Sequence, residues 1–354
     1  MPQPLPPNQY GIGTQEHNAY ATCLRYEMEA IAGLPPVISG LQSVALARVL
    51  GYMSIHAPTA LGRTNVSNAV MSCATTAQLA DVAKLYVTHF IGCFRSAKGR
   101  TPAPSSPPSR PSFDVVSDTI LHELLEAPQN HQTAKKLALI RDDYRCVISG
   151  RVDMTTYKTN PEVGAAWDVR FAQGHIPGMG TTHCAHIIPE SLHHNISGEN
   201  EGGDKHQYAA SVWAVMDRFG EVCGIEELND PDIHCMENVM TMNSNLYDCF
   251  DSLDIWLEAT QTINQYNVRA TRPAFLTQLG VQNPITLPTN HDLSAPDPRY
   301  LKLHAACAQV AHLSGAAEYF DNILKDIEGI RVLATDGSSS DLLDFKLLPL
   351  TKHG

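Results

Sequence analysis

Hydrophobic residues recur at helical spacing along most of the chain, three short runs have the character of strands, and the pattern beyond Ala270 indicates mixed loop and strand. Apolar side chains three and four residues apart predict helices over residues 16–32, 41–56, 65–96, 113–142, 208–219, 244–259 and 298–324. In the first of these, the predicted apolar stripe is Tyr20, Leu24, Met28 and Ile31. Short apolar runs next to polar or turn residues predict strands over 146–148, 183–188 and 239–242. The pattern therefore predicts an α+β fold that is mainly helical.

The helix predicted over residues 244–259 is strongly amphipathic. Its apolar face consists of Leu246, Phe250, Leu253 and Leu257. A second face collects polar side chains at positions three and four apart, namely Tyr247, Asp251, Asp254 and Glu258. Such an acidic face indicates either a solvated surface or a set of oxygen ligands.

Breaks in this pattern suggest the domain organisation. Residues 1–13 are proline-rich and predicted to be loose, and residues 97–112, with five prolines, predict an extended linker. We expect four regions: a helical region 1–96, the linker 97–112, a core 113–265 with an insertion at 190–237, and a C-terminal region 266–354 that packs on the core.

Composition and charge narrow the class of protein. Of the 354 residues, 43% are apolar and 18% charged, which is typical of a globular chain. The formal net charge of −12 disfavours a general nucleic-acid binder, although a metal-centred site with a small footprint remains compatible with it. Nine cysteines without a CxxC pair indicate reduced thiols in an intracellular protein, cytoplasmic or nuclear. We expect no signal peptide and no membrane span.

Three neighbouring motifs carry the candidate chemistry. They read THCAHIIP (182–189), ENVMTMN (237–243) and SNLYDCFD (244–251), and they predict a strand, a polar turn, a second strand and a helix. Together with RDDYRCVISG (141–150) and IWLE (255–258), they resemble the fungal HNH nuclease domain family, whose members usually read RD–CxxTG, AAHIIP and NxxxLxxxxHxxFD. The resemblance covers roughly residues 138–260, and the tail 304–318 is also similar to the region that follows this domain. It implies a central ββα-metal core with residues 190–237 inserted in its hairpin.

The resemblance also implies roles for particular residues. His186 is at the position of the general base, and Asn238 is at the position of the asparagine that orients it. Tyr247 stands where the family has a metal-binding histidine, and Ala185 where many nucleases of this fold have a second ligand. We therefore count His186, Asn238 and Tyr247 as candidate catalytic residues.

A divalent ion, Mg²⁺ or a first-row transition metal, is the expected cofactor. With Tyr247 and Ala185 at two ligand positions, His183 and Asp251 are the candidate metal ligands. Structural alternatives remain open, since Asn238 also suits a turn and Tyr247 also suits a packed aromatic side chain. The preceding arginines suit either phosphate contact or surface solubility: Arg141, Arg145, Arg151 and Arg170.

Three functions are compatible with these residues. The first is a metal-dependent HNH-type endonuclease, a hydrolase of phosphodiester bonds with His186 as base. The second is an HNH-fold enzyme repurposed for a small-molecule substrate in fungal secondary metabolism, using His186 and Tyr247 for acid–base chemistry. The third is a catalytically silent binding protein. Fold analogy alone does not choose among them, and the sequence leaves the oligomeric state open.

Overall fold

The chain has a mixed α/β fold that is mainly helical, as the hydrophobic pattern predicts. The computed structural model describes residues 2–35, 41–95, 130–174, 178–190, 204–228 and 230–329. In chain order, the helices are α1 (Gln15–Ile31), α2 (Ser43–Ile55), α3 (Ala60–Met71), α4 (Thr76–Tyr86), α5 (Gly92–Arg95), α6 (His131–Arg141), α7 (Met154–Thr159), α8 (Pro161–Ala172), α9 (Asp204–Gly220), α10 (Gly224–Glu227), α11 (Ser244–Asp251), α12 (Pro273–Gln278), α13 (Pro298–Ser314) and α14 (Ala316–Gly329). The strands are β1 (Val152–Asp153), β2 (Met179–Gly180), β3 (Thr182–His186), β4 (Val239–Asn243), β5 (Ile255–Ala259), β6 (Gln265–Ala270) and β7 (Ile285–Thr286).

Shorter helical turns complete the element order. A π-helical turn, Val87–Ile91, lies between α4 and α5, and 3₁₀ turns span Asp230–His234, Met236–Asn238 and Asn290–Asp292. The predicted linker 97–112 lies outside the described residues, and the helix predicted over 113–142 is described only from α6 onward.

Two compact units emerge from the contacts within the chain. The first combines residues 1–97, 191–224 and 302–354, and the second combines residues 98–190 and 225–301. Residues 191–224, which fall within the predicted hairpin insertion, thus group with the first unit. Each unit is assembled from segments that are far apart in sequence.

In the first unit, the proline-rich N-terminal segment is held against α1 and α2, so the prediction that it is loose was wrong. The backbone nitrogen of Leu5 donates to the Glu27 carboxylate at 3.2 Å, and Arg48 Nε pairs with the same carboxylate at 2.6 Å. Leu5 is buried, and Gly51 makes room for it, because a Cβ there would lie 2.4 Å from Leu5 Cδ2.

Helix α1 is present as predicted, but its buried face is rotated from the predicted apolar stripe. Met28 and Ile31 are 64% and 65% exposed. The buried residues are Ala19, Tyr20, Cys23, Tyr26, Glu27 and Ala30. A charged residue can occupy the packed face because Arg48 and the Leu5 backbone satisfy the Glu27 carboxylate.

At the centre of the second unit is an antiparallel hairpin of β3 and β4. Thr182 pairs with Asn243 at one end, and His186 pairs with Val239 at the other. Helices α6 and α11 both pack on the two strands. A buried cluster joins α6 to the hairpin and consists of Ala134, Leu137, Ala138, Ile140, Cys184, Met236, Val239 and Leu293. The remaining strands form an antiparallel sheet β5–β6–β7 and a parallel pair β1–β2.

The helix predicted over residues 244–259 is shorter than expected, which is a correction. It ends at Asp251, and Leu253 then takes a positive φ of 61°. The chain continues as β5, whose residues pair with β6. Strand pairing therefore outweighs the helical periodicity of this segment, and Asp254 and Glu258 leave the face that carries Tyr247.

Residues 146–148, predicted as a strand, form part of a turn instead. The backbone nitrogen of Cys146 donates to Arg151 O at 2.8 Å, and that of Gly150 donates to Cys146 O at 2.9 Å. Val147 N donates to Thr241 O at 2.9 Å, so the turn covers the outer edge of β4. The apolar run reflects burial rather than a strand, since Cys146 and Ile148 are both buried.

Two helices occupy residues 298–324, where one was predicted. Gly315 separates α13 from α14 with a φ of 91°, a conformation that glycine adopts at little cost. Within the described part of the chain, no helix has the length and apolar character needed to cross a bilayer.

Candidate functional site

The hairpin presents its two histidines to opposite sides. Successive side chains of a strand alternate between faces, so His183 and His186 of β3 point in opposite directions. His186 shares its side with Cys184, which belongs to the core cluster formed with α6. His183 contacts Tyr247 of α11. We call these the α6 side and the α11 side of the hairpin.

On the α11 side, His183 is stacked rather than poised for metal binding. Its ring lies 5.2 Å from that of Tyr247 with 22° between the planes, and its Nε2 is 3.0 Å from Ser244 Oγ. Burial, followed by the charge of Lys135, lowers the pKa of His183. Asn243 caps α11 by accepting from Leu246 N, which fixes the start of the helix that carries Tyr247.

The predicted ion on the α11 side is a poor fit to the residues present there. Burial, and then the carboxylates of Asp251 and Asp248, raise the pKa of Tyr247, so its phenol stays protonated and is a poor ligand. Ala185 supplies no ligand atom. Among the described residues, neither His183 nor Asp251 belongs to a group of three or more converging ligand side chains.

On the α6 side, four polar side chains gather around the end of β3. The Nε2 atom of His186 and the Nδ1 atom of His234 share a hydrogen bond of 3.0 Å. His234 Nε2 lies 3.9 Å from Glu190 Oε1. The ring of His131, the first residue of α6, is 5.7 Å from that of His186. This set is called the histidine cluster below.

Three members of the histidine cluster have the spacing of metal ligands. His131, His186 and Glu190 each offer one ligand atom, and these atoms all lie within 4.8 Å of one another. All three residues are partly buried and keep some exposure to solvent. Burial, and then the neighbouring His234 and His131, lower the pKa of His186 well below its ordinary value, which favours neutral imidazole.

Asn238 fixes the backbone that follows His186. It is fully buried at the end of the Met236–Asn238 turn. Its Oδ1 accepts from Ile188 N at 2.8 Å, while its Nδ2 donates to Ile188 O at 3.1 Å and to Ile233 O at 2.9 Å. Its backbone oxygen accepts from Ile187 N at 2.8 Å. Asn238 thus holds both the residues after His186 and the residue before His234.

Arg141 is a structural residue and not a surface or phosphate-binding one. It is fully buried, and its Nε donates to Asp142 Oδ1 at 2.8 Å. Its terminal nitrogens donate to the backbone oxygens of Met236 and Val239, each at 2.7 Å. Asp142 also accepts from Thr241 N at 2.8 Å, so the pair fastens α6 to β4.

Two of the other arginines near the hairpin, Arg145 and Arg170, lie beside Asp143 and Trp167. Arg170 pairs with Asp143 at 2.7 Å and lies 4.3 Å from the centre of the Trp167 ring. Arg145 is 3.9 Å from the same carboxylate. Both arginines are half exposed, and their charge is partly balanced by Asp143.

His131, His234 and Glu190 were not predicted as site residues. His131 and His234 meet His186 only through the tertiary fold, across sequence separations that carry no local signal. Glu190 follows His186 by four residues, and Asn130 before His131 suits a helix cap, which it forms by accepting from Gln132 N and Thr133 N. Neither the spacing of Glu190 from His186 nor the helix cap at Asn130 identifies a functional site by itself.

Comparisons with known proteins add no family assignment. No family model, no curated protein and no solved structure matches the chain. The chemistry of the histidine cluster is therefore the basis for assigning a function.

Proposed function

We propose that the chain is a hydrolase of phosphodiester bonds that reacts at the histidine cluster. The observation that carries the proposal is the position of His186 at the end of β3, with Asn238 fixing the backbone immediately after it. An imidazole at the end of a strand, an asparagine before the next strand and a following helix are the order implied by the resemblance to the HNH family.

Proton transfer follows from the paired rings. A water molecule attacking phosphorus must lose a proton, and a neutral imidazole accepts it. His186 and His234 share a hydrogen bond, so a proton taken by one ring is shared with the other. Glu190, beside His234, favours the resulting positive charge. The new bond joins the water oxygen to phosphorus, the bond to the leaving oxygen breaks, and that oxygen takes back the proton held by the His186–His234 pair.

The proposed reaction does not use the ion predicted beside His183 and Asp251, because these two residues belong to no group of three converging ligand side chains within the described residues. Asn238 is a positioning residue, because it contacts backbone and not the reacting atoms.

The test uses the purified full chain with linear DNA, structured RNA and a chromogenic aryl phosphodiester, first after removal of metal by a chelator and then with divalent ions supplied. We expect His186→Gln to lower the rate by about 10²–10⁴-fold, the usual contribution of a general base. The matched control is His291→Gln, an exposed histidine of the same unit, which should keep the wild-type rate. Equal rates for His186→Gln and wild type, or no hydrolysis of any substrate by wild type, would contradict the proposal.

A second candidate, an acid–base enzyme for a small molecule, is favoured by charge. The net charge is −12, and two exposed arginines near the hairpin, Arg145 and Arg170, are paired with Asp143. Both features disfavour a long polyanionic substrate. Hydrolysis of the aryl diester without cleavage of DNA or RNA would select this candidate over a nuclease, and the absence of all turnover would leave a binding protein.

A further inference from the structure

We propose that the histidine cluster binds one first-row divalent metal ion through His131, His186 and Glu190. Their ligand atoms lie within 4.8 Å of one another. Two imidazole nitrogens and one carboxylate oxygen form a ligand set that Zn²⁺ and similar ions accept, whereas Mg²⁺ prefers oxygen ligands. Catalytic zinc sites often have three protein ligands of this kind and keep one position open.

Each of the three ligands is held by a different part of the fold. His131 is the first residue of α6, after the Asn130 cap. His186 ends β3 and is paired in register with Val239. Glu190 follows Ile188, whose backbone nitrogen and oxygen both bond to the Asn238 side chain. Little reorganisation is therefore required before an ion binds, which favours affinity.

His234 borders the ligand set. It lies 3.0 Å from His186 Nε2 and 3.9 Å from Glu190 Oε1, so it contacts two of the three ligands. Groups in this position orient metal-bound imidazoles and raise affinity. An imidazole nitrogen of His186 that binds the ion cannot also accept a proton, so ion binding and the general-base role of His186 are alternatives at this site.

This location differs from the one implied by the HNH resemblance. In that family the ion is held from the helix after the hairpin, where this chain has Tyr247, and from the position of Ala185. Here the converging ligands lie on the α6 side of the same hairpin. Ion binding at this place does not require that the proposed hydrolysis is correct.

The test is calorimetric titration of the tag-free full chain, stripped with a chelator, with Zn²⁺, Mn²⁺ and Co²⁺ separately. Wild type should bind one equivalent of at least one of these ions, with visible absorption from bound Co²⁺. We expect His131→Gln and Glu190→Gln each to weaken binding by about 100-fold or more, since loss of even an outer partner of a metal ligand weakens binding by about 10–100-fold. His234→Gln should weaken binding by about 10–100-fold.

Two control variants separate the sides of the hairpin. His183→Gln and Asp251→Asn change the residues first predicted as ligands, and both should keep wild-type affinity. Circular dichroism of each chelated variant checks that it is folded. No binding by wild type at millimolar ion, unchanged affinity in both His131→Gln and Glu190→Gln, or loss of binding in Asp251→Asn alone would overturn the inference.

The outcomes for binding and for hydrolysis are distinguishable. Binding that depends on His131 without any phosphodiester hydrolysis supports the metal site and removes the proposed function. Hydrolysis that depends on His186 in a chain that binds no ion supports the proposed function and removes the metal site.

Discussion

On the α6 side of the hairpin, Arg141 and Asn238 are fully buried and bonded to backbone groups from distant segments, whereas on the α11 side the partly exposed His183 contacts neighbouring side chains. Arg141 reaches the backbone of Met236 and Val239, and Asn238 reaches that of Ile188. His183, by contrast, contacts the side chains of Ser244 and Tyr247.

The two sides of the hairpin use similar residue types for different purposes. The α6 side combines a rigid polar framework with a group of converging ligand atoms, which is the arrangement that a reactive site needs. The α11 side has a stacked pair and a protonated phenol. A motif match places histidines on the hairpin, but the side of the strand decides which of them has partners for chemistry.

Among substitutions on the two sides of the hairpin, we expect Arg141→Met to lower stability the most. The change leaves the Asp142 carboxylate buried without its ion partner, which should lower the free energy of unfolding by about 3–5 kcal/mol. Arg145→Met is the control, because that arginine is half exposed, and it should cost less than about 1 kcal/mol. Urea unfolding measures the free energy of unfolding of both variants. Equal losses would mean that the buried Arg141 contributes no more to stability than the half-exposed Arg145.

An intermediate effect is expected on the α11 side from Tyr247→Leu. Loss of the ring stack with His183 should lower the free energy of unfolding by about 1 kcal/mol. Tyr247→Phe keeps the ring and should lose less. Calorimetric titration with Zn²⁺ should give wild-type affinity for both variants. A lower Zn²⁺ affinity in both variants would show that the α11 side affects ion binding on the α6 side.

An effect of similar size but opposite sign is expected from Thr241→Val on the α6 side. Thr241 is buried, and its hydroxyl has no hydrogen-bond partner among the described residues. Valine keeps the shape and removes the unsatisfied group, so we expect a gain of about 1 kcal/mol in thermal or urea unfolding.

Thr182→Val is the matched control for that change. The Thr182 hydroxyl is also buried, but it donates to Asp153 Oδ2 at 2.6 Å. Its removal should destabilise by about 1.5–3 kcal/mol, because the bond is to a carboxylate. Destabilisation in Thr241→Val of the same size would indicate that its hydroxyl has a partner after all.

Much of the framework could be predicted from the sequence, because it depends on local patterns. The strands β3 and β4, the turn at Asn238 and the positions of α1 and α2 follow from apolar periodicity and polar breaks. The exchange of the family's metal-binding histidine for Tyr247 is also visible in the sequence.

The remainder depends on contacts that have no local signature. β5 exists because β6 pairs with it, and the periodicity of residues 244–259 gives no hint of that partner. The sequence predicts that Arg141 either contacts phosphate or lies on the surface, because arginine is usually exposed, yet carbonyl oxygens from distant segments bind its buried guanidinium. His131 and His234 join His186 through packing of α6 and the 3₁₀ turn Asp230–His234 onto the hairpin, so spacing along the chain could not reveal the histidine cluster.

The long connection within the hairpin has a consequence for the order of folding. His186 and Val239 pair in register, yet residues 187–238 separate them, and residues 191–224 of that stretch belong to the other compact unit. For a flexible chain, closing a loop of this length costs about 3 kcal/mol more than closing a two-residue turn. Such non-local pairing is slow to form, so the hairpin is not an early local nucleus. The residues that gather at its end come together late, and a nascent chain acquires them only after synthesis has passed β4.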